Sequence, residues 1–319
     1  MSPYAFHLHL VAWIAVAGTA LLYGAAVRGT ARATRQPATP TRRQRWYVAG
    51  GLVALALALT WPVADLAAHW SLAALVVQRL LLILAAAPLL LMALPSPVIA
   101  TLTRPAPVDR VLEVATRPVV AVVVFTVVAV GTLVSPAVAA QASSGVVRGV
   151  FDVLLLLGGM VLWGPVLRHI PGASRPSPIG RAVYLFVQSV VPGFPSVIYV
   201  FAHHPLYPAF AHAHVLGLSP VTDQQVAGVV AKVATLPVLW SAAWVSLARA
   251  ARDDAQEAST DVLTWDEVER QLQRAERRQR RGGPRRPGGM PPRPRVGIPP
   301  GGDEPEPPVA GPSGEGPDP

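Results

Sequence analysis

The sequence predicts an all-α protein: a polytopic membrane bundle of seven transmembrane helices, with its amino terminus outside and its carboxyl-terminal tail in the cytoplasm. Three observations predict it. Of 319 residues 52% are hydrophobic and only 14% charged, where a soluble domain carries about a quarter charged. Apolar runs long enough to cross about 30 Å of hydrocarbon, roughly 20 helical residues, recur along the chain. Arginines gather in alternate connections between those runs, as the retention of positive charge on the cytoplasmic side demands.

The first run, 5–27, has no positive charge before it and no small-residue cleavage site after it, so it is expected to stay as an anchor rather than be removed as a signal peptide. It is followed by a loop with Arg28, Arg32, Arg35, Arg42, Arg43 and Arg45. Runs at 47–67 and 71–94 come next, then a connection with Arg104, Arg110 and Arg117. Runs at 118–141 and 146–167 precede a connection with Arg168, Arg175 and Arg181. The last two runs are 179–201 and 224–248, and the 202–223 loop between them has no basic residue. This arrangement puts His7, His9, His69, His203, His204, His212 and His214 at or beyond the outer surface, and only His169 inside.

Composition divides the chain into a membrane domain, 1–250, a cytoplasmic segment, 251–281, and a Pro/Gly-rich tail, 282–319. Thr264 followed by Glu267 has capping-box spacing, and Trp265, Val268 and Leu272 recur at helical intervals, which predicts a short amphipathic basic helix to Arg281. The tail beyond Gly282 buries too little apolar surface to fold and is expected to be disordered. The net charge of +9 belongs to membrane-flanking loops and not to a nucleic-acid face. The absence of cysteine excludes disulfides, thiolate metal sites and cysteine nucleophiles. No Ser-His-Asp spacing, nucleotide loop or heme-ligand pair on one membrane face points to an enzyme.

Ionisable residues within the runs are costly in hydrocarbon, on the order of 2.5–3.5 kcal/mol each, and mark functional positions. They are Arg79, Asp152 and Lys232, at similar distances from the outer ends of the third, fifth and seventh runs. The expectation is one intramembrane polar cluster of Gln78, Arg79, Asp152 and Lys232, with Arg79 and Asp152 paired. Pro192, Gly193 and Pro195 in VVPGFPS break the sixth run. In the outer loop His203-His204 and His212-x-His214 are the candidate metal ligands, since imidazole suits copper or zinc and no thiolate competes.

Several segments together resemble the CtaG-like family of cytochrome c oxidase assembly factors. These are LSPVTDQQVAG at 218–228, with Asp223, Gln224, Gln225 and Gly228 the most specific, HPLYPAF at 204–210, Trp163-x-Pro165, APLLLMALP at 87–95 and ALLYGAAVRG at 20–29. The resemblance implies a seven-span protein of the cell membrane that assists oxidase assembly, is not an enzyme, and meets oxidase subunits and lipid. It also implies a role in copper supply on the outer face. This chain departs from the pattern where the family has His-Met-x-Gln-His: it has Leu75, Val76, Val77, Gln78 and Arg79. The Glu-His pair of the fifth span aligns with Phe151 and Asp152, and Lys232 stands at a usual Trp. The bundle's metal site is therefore expected to be exchanged for the Arg79–Asp152 pair. If copper is carried, the remaining candidates are His203, His204, His212 and His214, with His69 as a further one.

Two other functions fit parts of the sequence. A transporter would use the broken sixth run and the buried charges, but no inverted repeat accompanies them. A retinal protein would use the chain's single lysine, in the seventh run, but aromatics are only 7% of the chain and the third run itself has no acidic counterion near Arg79.

Overall fold

The computed structural model describes residues 9–35, 39–167, 176–211 and 217–281, with side chains through Gln256 and for 268–274, 276 and 277. Among these residues the architecture is helical throughout, without strands. Six helical segments are long and apolar enough to cross a membrane, seven if one bent pair counts as a span.

Helix α1, Leu10–Thr34, runs past the expected end at 27. Arginine ends a hydrocarbon span but propagates a helix well, so the turn comes only at Arg35, with φ 52°. Helix α2, Arg42–Leu59, starts on a complete capping box in which Thr41 and Gln44 exchange side-chain and backbone bonds. After Pro62 the same crossing continues as α3, Val63–His69. The third crossing begins as α4, Leu72–Leu80, passes through a π-helical turn, Leu81–Ala86, and ends as α5, Ala87–Ala93. The wide turn frees the carbonyl of Ile83, which accepts from the Trp163 indole N–H at 3.0 Å.

Two short helices follow, α6, Ser96–Leu102, and α7, Ala106–Ala115. Helix α7 meets α8, Pro118–Gly131, at 84°. The fourth crossing was expected to run unbroken from 118 to 141. Instead α8 stops at Gly131 after 14 residues, about 21 Å of helix, and a separate α9, Ser135–Ser143, follows. The apolar composition continues through the break, which is why hydropathy alone reads one span. Pro136, at the start of α9, cannot donate to a continuing helix.

Helix α10, Gly145–Trp163, packs closely on the third crossing at Gly159, where a Cβ would come within 2.9 Å of Ala87 Cβ and 3.0 Å of the Ile83 backbone. The sixth crossing is split into α11, Pro178–Val190, and α12, Phe194–Phe201, at the expected Pro-Gly-x-Pro break. A short 3₁₀ turn, Pro208–Phe210, lies in the following loop.

Helix α13, Pro220–Arg281, includes Pro237 and continues through the positions where a new helix was expected at Thr264. The capping-box spacing there does not start a helix, because strong helix formers on both sides carry the preceding one through. The first compact unit ends at Ala258. The expected disordered tail, 282–319, lies outside the described residues.

One apolar core joins α2, the π turn, α8, α10 and α11 through Leu55, Leu82, Phe125, Leu155, Leu162 and Leu185. A second, around Leu72, Leu75, Val76, Val138, Tyr199 and Phe210, ties the start of the third crossing to α9, α12 and the 202–211 loop. Large apolar side chains such as Leu22, Val119, Phe186 and Trp244 point outward, the surface a lipid solvent requires.

Candidate functional site

Asp223 is the third residue past the N-terminal Pro220 of α13, yet its side chain serves another helix. Its Oδ1 accepts from Ser71 Oγ at 2.6 Å, and its Oδ2 accepts from the Leu72 N–H at 2.7 Å and the Ala73 N–H at 3.4 Å. Ser71 Oγ in turn accepts from the Ala74 N–H at 3.0 Å. The first turn of α4 therefore has its free donors satisfied by a carboxylate, which also complements the positive end of the helix dipole.

The next two residues hold the outer loop. Gln224 Oε1 accepts from the Leu206 N–H at 2.8 Å and its amide lies 3.5 Å from the His204 carbonyl, while the Gln225 amide donates to the Ala202 carbonyl at 3.2 Å. At Gly228 a Cβ would stand 2.5 Å from the Ser196 carbonyl, so only glycine lets α13 approach α12 this closely. One helical turn thus fastens α4, α12 and the 202–206 segment together.

Below this clasp lies the end of α8, whose last carbonyls need donors away from water. Arg79, 4% exposed, supplies them: its guanidinium donates to the Ala129 carbonyl at 2.7 Å, to the Thr132 carbonyl at 3.5 Å and to the Thr132 hydroxyl. The Gln141 amide also donates to the Thr132 carbonyl at 2.9 Å. The Tyr207 hydroxyl donates to the Leu133 carbonyl at 2.7 Å and touches the Tyr199 hydroxyl at 2.5 Å. Burial, with the neighbouring Tyr199, holds the Tyr207 phenol well above its ordinary range. A cation at a helix C-terminus is favourable for the same reason that a carboxylate is at an N-terminus.

The expected Arg79–Asp152 pair is therefore not made. Asp152 faces the other side of α4, where the Gln78 amide donates to its Oδ1 at 3.3 Å. Arg148 stands one turn before Asp152 on the same helix, α10. The physical reason is the short α8: its exposed carbonyls compete for the guanidinium and win on geometry. Gln78, adjacent in sequence, then takes the carboxylate.

Lys232 is separate from Asp152 as well. It lines a cavity of about 90 Å³ at the break of the sixth crossing, together with Arg79, Gln188, Ser189, Ser196 and Tyr199. A Cβ on Gly193 would come within 2.9 Å of Lys232 Nζ, so the break presents bare backbone to the ammonium. Of the expected cluster, Gln78 meets Asp152, and Arg79 and Lys232 share a cavity wall. Sequence reasoning missed Gln188, Tyr199 and Tyr207; Gln188 and Tyr199 are polar residues inside an apolar run, a signal present in the sequence.

His203 and His204 are exposed in the loop held by Gln224. His212 and His214 lie outside the described residues. His9 pairs with Asp65 at 2.9 Å. Among the described residues no three His, Asp or Glu side chains converge as metal ligands.

These joints connect segments far apart in sequence, and they coincide with a family pattern. The family model of the cytochrome c oxidase caa3 assembly factor matches residues 21–253. The chain belongs to this family. No curated protein and no solved structure matches it. In this caa3 assembly factor the resembling segments prove to be contact points: Tyr23 donates to the Ala93 carbonyl at 3.1 Å, Trp163 donates to the Ile83 carbonyl, Asp223 accepts from the Leu72 N–H, and Gln225 donates to the Ala202 carbonyl just past α12. The family's signature is carried here by residues that hold helices in register.

Proposed function

We propose that this caa3 assembly factor acts in the maturation of the oxidase by binding an oxidase subunit at the end of the bundle that carries the 202–211 loop. That end faces the extracytoplasmic side of the cell membrane, and the protein performs no catalysis of its own. The observation that carries the reading is the clasp of Asp223, Gln224, Gln225 and Gly228, which gives this end a fixed shape by anchoring its loop at Ala202, His204 and Leu206. A pre-formed surface is what recognition of a folded partner uses. Copper handling, where the family name would lead one to look for it, falls to His203, His204, His212 and His214 and not to the bundle, in which Leu75 and Arg79 have no metal-binding atom.

Deleting the gene is expected to lower oxidase level and activity. Complementation with a chain whose four loop histidines are alanine is expected to restore subunit assembly; loss of oxidase copper alone in that strain would assign those histidines to metal supply. Normal oxidase level, copper content and activity in the deletion strain would overturn the proposal.

A further inference from the structure

The cavity at the break of the sixth crossing has a composition that its neighbours do not explain. Its walls are mostly apolar, with Val76, Ile83, Phe125 and Leu162 among them, yet two cations, Arg79 and Lys232, line it and no carboxylate does. Arg79 is already engaged with the end of α8. Lys232 has three donors, and among the described residues no side chain accepts from it. An ammonium in such surroundings calls for an anion.

A second observation specifies the ligand further. Gln188 is 1% exposed and lines the same cavity. Its orientation is fixed by a chain of donors: the Tyr184 hydroxyl donates to the Leu162 carbonyl at 2.7 Å, so it can only accept from Gln188, whose amide donates to it at 2.9 Å. Gln188 Oε1 is thereby left as a buried acceptor with no donor. An orphaned acceptor beside a cation asks for a ligand that carries both a negative oxygen and a hydroxyl. The volume, about 90 Å³, suits such a group, since a water needs roughly 10–15 Å³ on the same measure.

We infer that this cavity binds a phosphate oxyanion bearing a hydroxyl, with Lys232 taking the charge and Gln188 Oε1 accepting from the hydroxyl. The same chemistry is offered by the headgroup of an anionic phospholipid such as phosphatidylglycerol, whose tails would follow the apolar walls, and by hydrogen phosphate. The inference stands apart from the oxidase role: it needs only the cavity.

The test uses the full chain purified and stripped of lipid in a phosphorus-free detergent, dodecyl maltoside, with native mass spectrometry and phosphorus analysis as readouts. One arm adds phosphatidylglycerol at graded mole fraction, the other adds inorganic phosphate. One equivalent of phosphorus retained in the first arm assigns the lipid, and retention in the second alone assigns the free ion; either supports the site. Lys232→Met is expected to lower retention by about tenfold or more, the share of one charge-assisted hydrogen bond, and Lys232→Arg to keep it. Gln188→Leu is expected to abolish the preference for phosphatidylglycerol over phosphatidylmethanol, an anionic phosphodiester whose headgroup has no hydroxyl, while leaving charge-dependent binding. Should Lys232→Met fail to fold, the unmodified chain still decides, because no phosphorus retained in either arm overturns the inference. Equal retention by wild type and a folded Lys232→Met overturns it too.

Discussion

Removing the carboxylate of Asp223 isolates what the clasp is worth. In Asp223→Ala the Leu72 N–H and the Ser71 hydroxyl lose their acceptor at the start of the third crossing, where both now sit at 2.7 and 2.6 Å from it. Each hydrogen bond to a charged group is worth about 1.5–3 kcal/mol, so the loss of two should be about 3–6 kcal/mol. Asp223→Asn keeps one acceptor oxygen and forfeits the charge facing the helix dipole; its cost should be about 1–3 kcal/mol. Ser71→Ala combined with Asp223→Ala should cost less than the sum of the two, since the serine hydroxyl has then lost nothing further. Reversible unfolding in mixed micelles, followed by circular dichroism, measures all four chains. An Asp223→Ala chain within about 0.5 kcal/mol of wild type, a shift typical of an unremarkable surface site, would refute the claim that this residue fastens the bundle.

Asp152→Asn should cost less than about 1 kcal/mol, because the carboxylate meets an amide and not the guanidinium; a direct ion pair with Arg79 would instead make the loss about 3–5 kcal/mol. Arg79→Met should destabilise the bundle by about 1–3 kcal/mol through the orphaned Ala129 carbonyl, and the same unfolding assay reads both variants. Gly228→Ala should cost about 1–3 kcal/mol, since its methyl would overlap the Ser196 carbonyl; an unchanged unfolding midpoint would place the helices farther apart than described. The Tyr207 phenol is held above its unfolded value, so its contribution is complete below about pH 10 and is lost as pH rises through the folded value; Tyr207→Phe should remove that alkaline loss in a pH series of unfolding midpoints.

The crossings were legible because twenty apolar residues in a row have few alternatives to a membrane helix. The sixth-crossing break was legible too, since proline and glycine act locally. The partner of Arg79 was not. A run of valines and alanines from 118 to 141 gives no sign that its helix ends at Gly131, because the signal lies in Gly131-Thr132 and Ser135-Pro136, whose weight against a long apolar run is small. Asp223 was recognisable as a motif residue, but its service as a cap to a helix 150 positions away depends on tertiary approach that no local spacing encodes. The tail helix was misplaced for the opposite reason: a capping-box pair at Thr264 and Glu267 is local and genuine, yet it lies inside a helix already under way.

The short α8 accounts for more of this protein than any other single feature. A helix that stops inside the bundle leaves carbonyls that must be paired there, and a guanidinium does this with several donors in one plane. That requirement fixes Arg79 on the α8 side of α4 and leaves Gln78 to meet Asp152. It also explains how a cation can stand in the bundle without a carboxylate beside it, since the negative end of α8 supplies the compensating field. Lys232 has no such helix end to face, and its position against the bare backbone of Gly193 leaves its charge directed into the cavity. The two intramembrane cations thus do different work: one completes the fold, and the other remains available to a ligand.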